Sequence, residues 1–270
     1  MDLKLKNKVI IVTGGAGIRG SIGQTIVYSL AREGAIPVIV CRSERGWAYE
    51  KELQKKGIDA AFFQIDLSDI DQIEKTVTEI IKRYGRIDIL INNVGVNDRV
   101  GLEAPVKDFI KSLELNLISY FAMTKFCLPY LKTSKGNILN IGSKVALTGQ
   151  GGTSGYAASK GGVLALTREW AVDLLSDGIR SNAIIIAESW TPAYQNWLDS
   201  LEDGVSKKKM IEQKIPLGNR MTTPEEIANT CLFLVSEKSS HTTGQYVFVD
   251  GGYVHLDRAL VTEKRKNRSI

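Results

Sequence analysis

Short apolar runs alternate with longer stretches in which apolar residues recur every three or four positions, along nearly the whole chain. The short runs predict strands at 8–13, 36–41, 59–65, 87–92, 136–142, 179–186 and 246–250. The longer stretches predict helices near 21–33, 44–56, 69–84, 106–132, 155–176 and 224–236. The strands are nearly continuous in apolar residues, as with Ile87, Ile89, Leu90 and Ile91. Strands buried on both faces read this way. Strand and helix in alternation predict an α/β fold, a doubly wound sheet of seven parallel strands with helices on both faces. At the last helix Thr223, Pro224 and Glu226 read as a capping box with proline in the first turn.

The first strand runs into Thr13, Gly14, Gly15, Gly17, Gly20, Ser21, Ile22 and Gly23, and a helix follows. Glycines allow a tight turn and close approach of the backbone to a pyrophosphate, and a helix N-terminus offers free N–H groups and a favourable dipole. The bland alternative is a glycine-rich turn with no ligand. Strand, glycines and helix in that order predict a Rossmann-like, single-domain nucleotide-binding architecture. In such sheets the ligand lies beyond the carboxyl ends of the strands. Asn93 follows the fourth predicted strand, Ser143 the fifth and Thr191 the sixth, so all three fall at the edge that carries the glycine loop.

Tyr156 and Lys160 are four residues apart in a predicted helix and therefore share a face. Ser143 precedes the tyrosine on a separate element. A phenol, an ammonium that favours its phenolate and a hydroxyl that can bond the same oxygen are the parts needed to move a proton on or off an alcohol. Alone, the tyrosine–lysine spacing is common in helices; its weight comes from the nucleotide-binding pattern in the same chain.

Together these residues resemble the short-chain dehydrogenase/reductase family over almost the whole chain. Thr13 and Gly14 match the family's cofactor loop, Asp66 and Leu67 its acidic adenine-side position, and Asn92, Asn93, Val94 and Gly95 its N-N-A-G segment, with valine for alanine. Asn116, Ser143, Tyr156 and Lys160 match its catalytic tetrad. The resemblance implies that Tyr156 is the acid/base, that Lys160 lowers the tyrosine pKa and holds the nicotinamide ribose, that Ser143 orients the substrate oxygen, and that Asn116 supports a water chain to Lys160. Cofactor contacts are implied for Gly14, Gly20, Ser21, Ile22, Gly23, Asp66, Leu67, Asn93, Gly95, Tyr156, Lys160 and Thr191. The chain departs from the family twice. The stretch 13–23 is three residues longer than usual, with Ser21 where a glycine belongs, as in the enoyl reductases of the superfamily. After the sixth strand, Ile186 and Ala187 replace a common Pro-Gly and are followed by Glu188.

Cofactor choice turns on the end of the second strand. An acid there would bond the ribose of NAD and repel the 2′-phosphate of NADP. The chain has Cys41 followed by Arg42, with Arg19 and Arg45 as further cations, which favours NADP over NAD. Stretches 148–156, 188–197 and 240–258 resemble bacterial L-fucose dehydrogenases and related aldose 1-dehydrogenases. Asn97, Gln150, Glu188 and Trp190, with Ser143, are the candidate substrate contacts. The expected reaction is oxidation of an aldose such as L-fucose at C1, giving the lactone. A 3-oxoacyl thioester (acyl carrier protein) reductase is the nearest alternative, and a non-catalytic scaffold of the same fold is the alternative of another class.

Composition narrows the setting. The chain has 270 residues and is 43% hydrophobic, enough for one sizeable core. We expect a domain over 1–262, a substrate lid at about 188–217 and a basic tail at 263–270. The tail supplies +3 of the formal charge of +5, and no basic stripe interleaved with aromatics occurs elsewhere, so nucleic-acid binding is not expected. Lys207, Lys208 and Lys209 read as a solvated face. No run approaches a membrane span, and the charged start lacks an apolar signal core. Cys41, Cys127 and Cys231 are widely spaced, and neither they nor His241 and His255 show metal-ligand spacing. Reduced cysteines, a cytoplasmic setting and no metal are expected, and the family resemblance implies a homotetramer.

Overall fold

The computed structural model describes residues 2–257, so the basic tail at 263–270 lies outside the described residues. Seven parallel strands form one sheet: β1 (Val9–Thr13), β2 (Ile36–Cys41), β3 (Ala61–Gln64), β4 (Ile89–Asn92), β5 (Asn137–Ser143), β6 (Arg180–Ile186) and β7 (Tyr246–Val249). Their order is β3-β2-β1-β4-β5-β6-β7. The chain winds outward from β1 in one direction, then returns and winds outward from β4 in the other. Between β1 and β4 lies the switch point where such sheets bind ligands.

Alternate residues of each strand serve opposite layers. Ile10 and Val12 of β1, Ile39 of β2 and Ile91 of β4 pack with α1 (Ile22–Arg32), α2 (Arg45–Lys55) and α9 (Pro224–Val235). Val9, Ile11, Val38, Val40 and Leu90 pack on the other face with α3 (Ile70–Tyr84), α5 (Ser119–Ser134) and α6 (Ser154–Asp173). The register aligns Ser143 of β5 with Ile186 of β6, and Ile186 with Val249 of β7. The ends of these three strands therefore reach one edge together.

The capping box at α9 forms as expected. Glu226 N–H donates to Thr223 Oγ1 at 3.3 Å, and Thr223 N–H donates to the Glu226 carboxylate at 2.8 Å. The helix expected at 106–132 is a correction: α4 (Val106–Leu113) and α5 are joined by a π-helical turn, Glu114–Ile118. The wider turn carries Asn116, whose side chain is fully buried. Within 188–217 lie two helices, α7 (Pro192–Asp199) and α8 (Gly204–Glu212). Among the described residues no helix is long and apolar enough to cross a membrane, and no cluster of side chains could hold a metal ion.

Candidate active site

The four residues matched to the family tetrad come from three elements and converge at the carboxyl edge of the sheet. Ser143 ends β5, and the first turns of α6 carry Tyr156 and Lys160. Lys160 is fully buried; its ammonium donates to the Tyr120 hydroxyl at 2.9 Å and to the Ile141 carbonyl at 2.7 Å. It lies 5.6 Å from the centroid of the Tyr156 ring. Burial pulls Lys160 down to about 7. Burial also pushes the Tyr156 hydroxyl up to about 12; a hydrogen bond with Ser143 works against the shift and the charge of Asp98 adds to it. Burial is thus the largest cause of the raised tyrosine, and the Lys160 protons are directed at Tyr120 and Ile141.

Asn116 clamps the segment after β4. Val96 N–H donates to Asn116 Oδ1 at 2.8 Å, and Asn116 Nδ2 donates to the Val96 carbonyl at 3.1 Å and to Ser112 Oγ at 3.3 Å. Gly95 lies between Asn116 and Lys160. A Cβ there would stand 3.3 Å from Asn116 Oδ1 and 3.4 Å from Lys160 Nζ, so the glycine permits this close packing.

The glycine loop faces this group across β1 and β4. Asn93 N–H donates to Thr13 Oγ1 and Asn93 Nδ2 to the Thr13 carbonyl, both at 2.9 Å, so the two strand ends are tied. Gly14 has a φ of +69°, and a Cβ on Gly23 would meet the Gly14 carbonyl oxygen at 2.5 Å. Ser21 precedes α1, and its buried hydroxyl oxygen has no hydrogen-bond partner. A cradle only glycine can line, a helix N-terminus and an unpartnered hydroxyl fit the pyrophosphate of a dinucleotide. The three added residues do not dissolve the loop. Tyr49 Oη donates to the Gly17 carbonyl at 2.9 Å, and Gly20 approaches the ring of Pro192 at the start of α7. Thr191 caps α7, accepting from Tyr194 N–H at 3.2 Å.

Further from the reaction centre the candidates divide. The Asp66 carboxylate accepts from the Ser68 N–H at 3.0 Å and its hydroxyl at 2.7 Å, which holds it below the usual carboxylate range. The side chain of Leu67 is part of the core, so only its backbone can face a ligand. Arg42 is exposed just past β2 and makes no ion pair among the described residues. Arg19 is a correction: it pairs with Glu52 at 2.6 Å and lies against the rings of Tyr28 and Tyr49, so it is not a spare cation.

The candidate substrate contacts are also rearranged. Asn97 and Gln150 are exposed on two loops that touch where Gly101 meets Gly152. The Glu188 carboxylate is engaged by two side chains. Oε1 accepts from the Lys144 ammonium and Oε2 from the Tyr194 hydroxyl at 2.6 Å. Lys144 also lies 4.4 Å from the centroid of the Tyr253 ring. Lys208 sits 3.7 Å over the Trp190 ring, so the expectation of a wholly solvated lysine run fails there. Tyr120, Asp98, Lys144, Tyr194 and Tyr253 escaped the sequence reading. Of these, Lys144 gave the clearest signal, since it directly follows Ser143.

Known proteins share this fold over nearly the whole chain. Residues 15–254 match the family model described as Enoyl-(Acyl carrier protein) reductase. The chain is 36% identical to L-fucose dehydrogenase of Bos taurus over 255 residues, covering 93% of this chain and 91% of that protein. It is 33% identical to the 3-oxoacyl-[acyl-carrier-protein] reductase FabG of Thermotoga maritima, over 93% of this chain and 100% of that one. The crystal structure of Cj0485 dehydrogenase superposes with a TM-score of 0.92 at 49% identity, covering 96% of this chain and 99% of that chain. With its fold and these likenesses, the chain belongs to the short-chain dehydrogenase/reductase family and is an oxidoreductase of the nicotinamide-dependent kind.

Proposed function

We propose that the protein oxidises C1 of an aldose such as L-fucose to the lactone, with NADP as its preferred cofactor. Tyr156 takes the proton of the anomeric hydroxyl as the C1–H bond breaks and the carbonyl forms. The nicotinamide, when bound, accepts the hydride. Ser143 orients the reacting oxygen. Lys160 holds the ribose and draws the phenol toward its ionised form once charge develops there, and Asn116 keeps the Val96 segment against the site. Gly14, Gly20, Ser21, Ile22 and Gly23 receive the pyrophosphate, Asp66 and Leu67 border the adenine, Asn93, Gly95 and Thr191 border the nicotinamide side, and Arg42 meets the 2′-phosphate.

The observation that carries the reading is the charged wall beside Ser143. Lys144, Glu188 and Tyr194 are joined by hydrogen bonds at the substrate side of the strand ends. Such a wall suits hydroxyl-bearing substrates and disfavours methylenes, because charge buried against an acyl chain is left poorly solvated. The 36% identity to bovine L-fucose dehydrogenase supports the same reading. The 33% identity to the Thermotoga reductase supports the alternative, reduction of a 3-oxoacyl thioester. A non-catalytic scaffold is disfavoured because the tetrad side chains are brought together. A cytoplasmic homotetramer is part of the proposal, and exposed apolar side chains at Ile110, Ile118 and Phe121 give a surface for assembly. The test is a panel of aldoses, secondary alcohols and a 3-oxoacyl thioester, followed by reduced-nicotinamide absorbance with NAD and NADP in parallel. Turnover of aldoses supports the proposal; efficient thioester reduction with none on any aldose refutes it.

A further inference from the structure

We propose that Lys144 and Glu188 act as one donor–acceptor pair that binds the vicinal hydroxyls at C2 and C3 of the substrate, next to its reacting carbon. The proposal rests on the aldose reading above and assigns its specificity to a pair of residues.

Placement is the first argument. Lys144 is one residue past Ser143, at the end of β5. Glu188 is two residues past Ile186, the β6 partner of Ser143. Tyr253 is four residues past Val249, the β7 partner of Ile186. Three adjacent strands thus deliver these groups to the edge beside the reacting hydroxyls. The glycine loop and Asn93 take the opposite side, at the ends of β1 and β4. Substrate atoms beyond the reacting carbon have the β5, β6 and β7 side available.

Donor and acceptor capacity is the second. An ammonium has three donors and a carboxylate about four acceptor positions. Lys144 uses one donor on Glu188 and lies over the face of Tyr253. Glu188 accepts from Lys144 and Tyr194, which leaves about two of its positions. Neither side chain is wholly enclosed, at 11% and 14% exposure. One hydroxyl of a vicinal diol can accept from the ammonium while its neighbour donates to the carboxylate, and both bonds are charge-assisted. Because the two protein groups touch, they present donor and acceptor side by side, as two adjacent hydroxyls require. Tyr194 on α7 holds the carboxylate from the far side and fixes its orientation.

A pair that only fastened α7 to the sheet would affect all substrates alike. The test therefore compares L-fucose with its 2-deoxy analogue in wild type, Glu188→Gln and the double variant Lys144→Met/Glu188→Leu. For each protein kcat/KM, the NADP dissociation constant and Tm are measured. Replacing both members of a buried pair by apolar groups of similar volume is often neutral for folding. Wild type is expected to favour L-fucose by about 10²-fold, the worth of a hydrogen bond between the missing hydroxyl and a charged group. The double variant is expected to keep cofactor affinity and Tm while its preference falls to within about threefold, and Glu188→Gln to lie between. A double variant that keeps the wild-type preference overturns the proposal, as does one that loses both activities in equal proportion. If the double variant does not fold, an unchanged preference in Glu188→Gln overturns it and a reduced one supports it. Should wild type oxidise aldoses without discriminating against the 2-deoxy sugar, this inference fails while the aldose reading stands. Should wild type oxidise no aldose, both fail.

Discussion

The Lys160 ammonium donates to the Tyr120 hydroxyl at 2.9 Å. Tyr120 in turn donates to the Val94 carbonyl at 2.8 Å, so the cation is linked to the segment that follows β4. Burial holds Lys160 down at about 7 and Tyr120 well above the ordinary tyrosine range. Tyr120 therefore remains a neutral hydroxyl through the working pH range and sets where the ammonium points.

Tyr120→Phe is expected to keep the fold and lower kcat by about 2- to 10-fold, the worth of one ordinary hydrogen bond. The alkaline limb of the pH–rate profile should shift, since Lys160 loses an acceptor. A profile superimposable on wild type, with unchanged kcat, would remove Tyr120 from the positioning of Lys160.

Stability should carry the mark of the buried lysine. Lys160 titrates at about 7 in the folded chain, against ~10.4 for an unfolded lysine. Between these values the unfolded chain binds more protons, so the lysine's contribution to stability rises with pH. Below this window both states are protonated and its contribution is least favourable. Tyr156 acts in the opposite sense and higher up: at about 12 when folded against ~10 unfolded, it makes stability fall as pH rises through that window. Lys160→Met should thus exceed wild type most in Tm near pH ~6.5 and least near pH ~9.5. An offset independent of pH would contradict the depressed lysine.

Arg42 is the one arginine of the cofactor edge considered for the 2′-phosphate that stands at the end of β2 itself. Arg42→Asp is expected to weaken NADP by at least about tenfold while leaving NAD within a few-fold, because the acid meets the ribose hydroxyl but repels the phosphate. Equal changes in both dissociation constants would place Arg42 outside the phosphate site. A wild-type preference for NAD would show that a missing acid at Cys41 is no guide to the cofactor in this chain.

The seven parallel strands and both helical layers were legible because buried parallel strands announce themselves as short apolar runs. Ile10 and Val12 against Val9 and Ile11 show how one run serves two cores. The π-helical turn at Glu114–Ile118 was not legible, since Glu114, Leu115, Asn116, Leu117 and Ile118 contain no glycine or proline to mark a change of pitch. Ser143 could be read from its place at a strand end, and Tyr156 and Lys160 from their spacing on one helix. The partners of Lys160 could not, because Tyr120 is brought in from α5, 40 residues away. Lys144 and Glu188 are 44 residues apart, and only the pairing of β5 with β6 unites them. Charge alone misled at Arg19 and Lys208, where nearby aromatic rings and carboxylates engage side chains that otherwise look free.

The most direct measurement is the initial rate of NADP reduction on mixing the protein with L-fucose, wild type beside Tyr156→Phe, with cofactor binding and Tm recorded for both. The variant removes the hydroxyl that exchanges the proton and keeps the ring. Wild type should turn over and release lactone, and the variant should lose activity by about 10²–10⁴-fold with cofactor binding and Tm retained. Near-native turnover by Tyr156→Phe would contradict the assignment of the acid/base, and a wild-type protein inert to every aldose yet active on a 3-oxoacyl thioester would contradict the reaction itself.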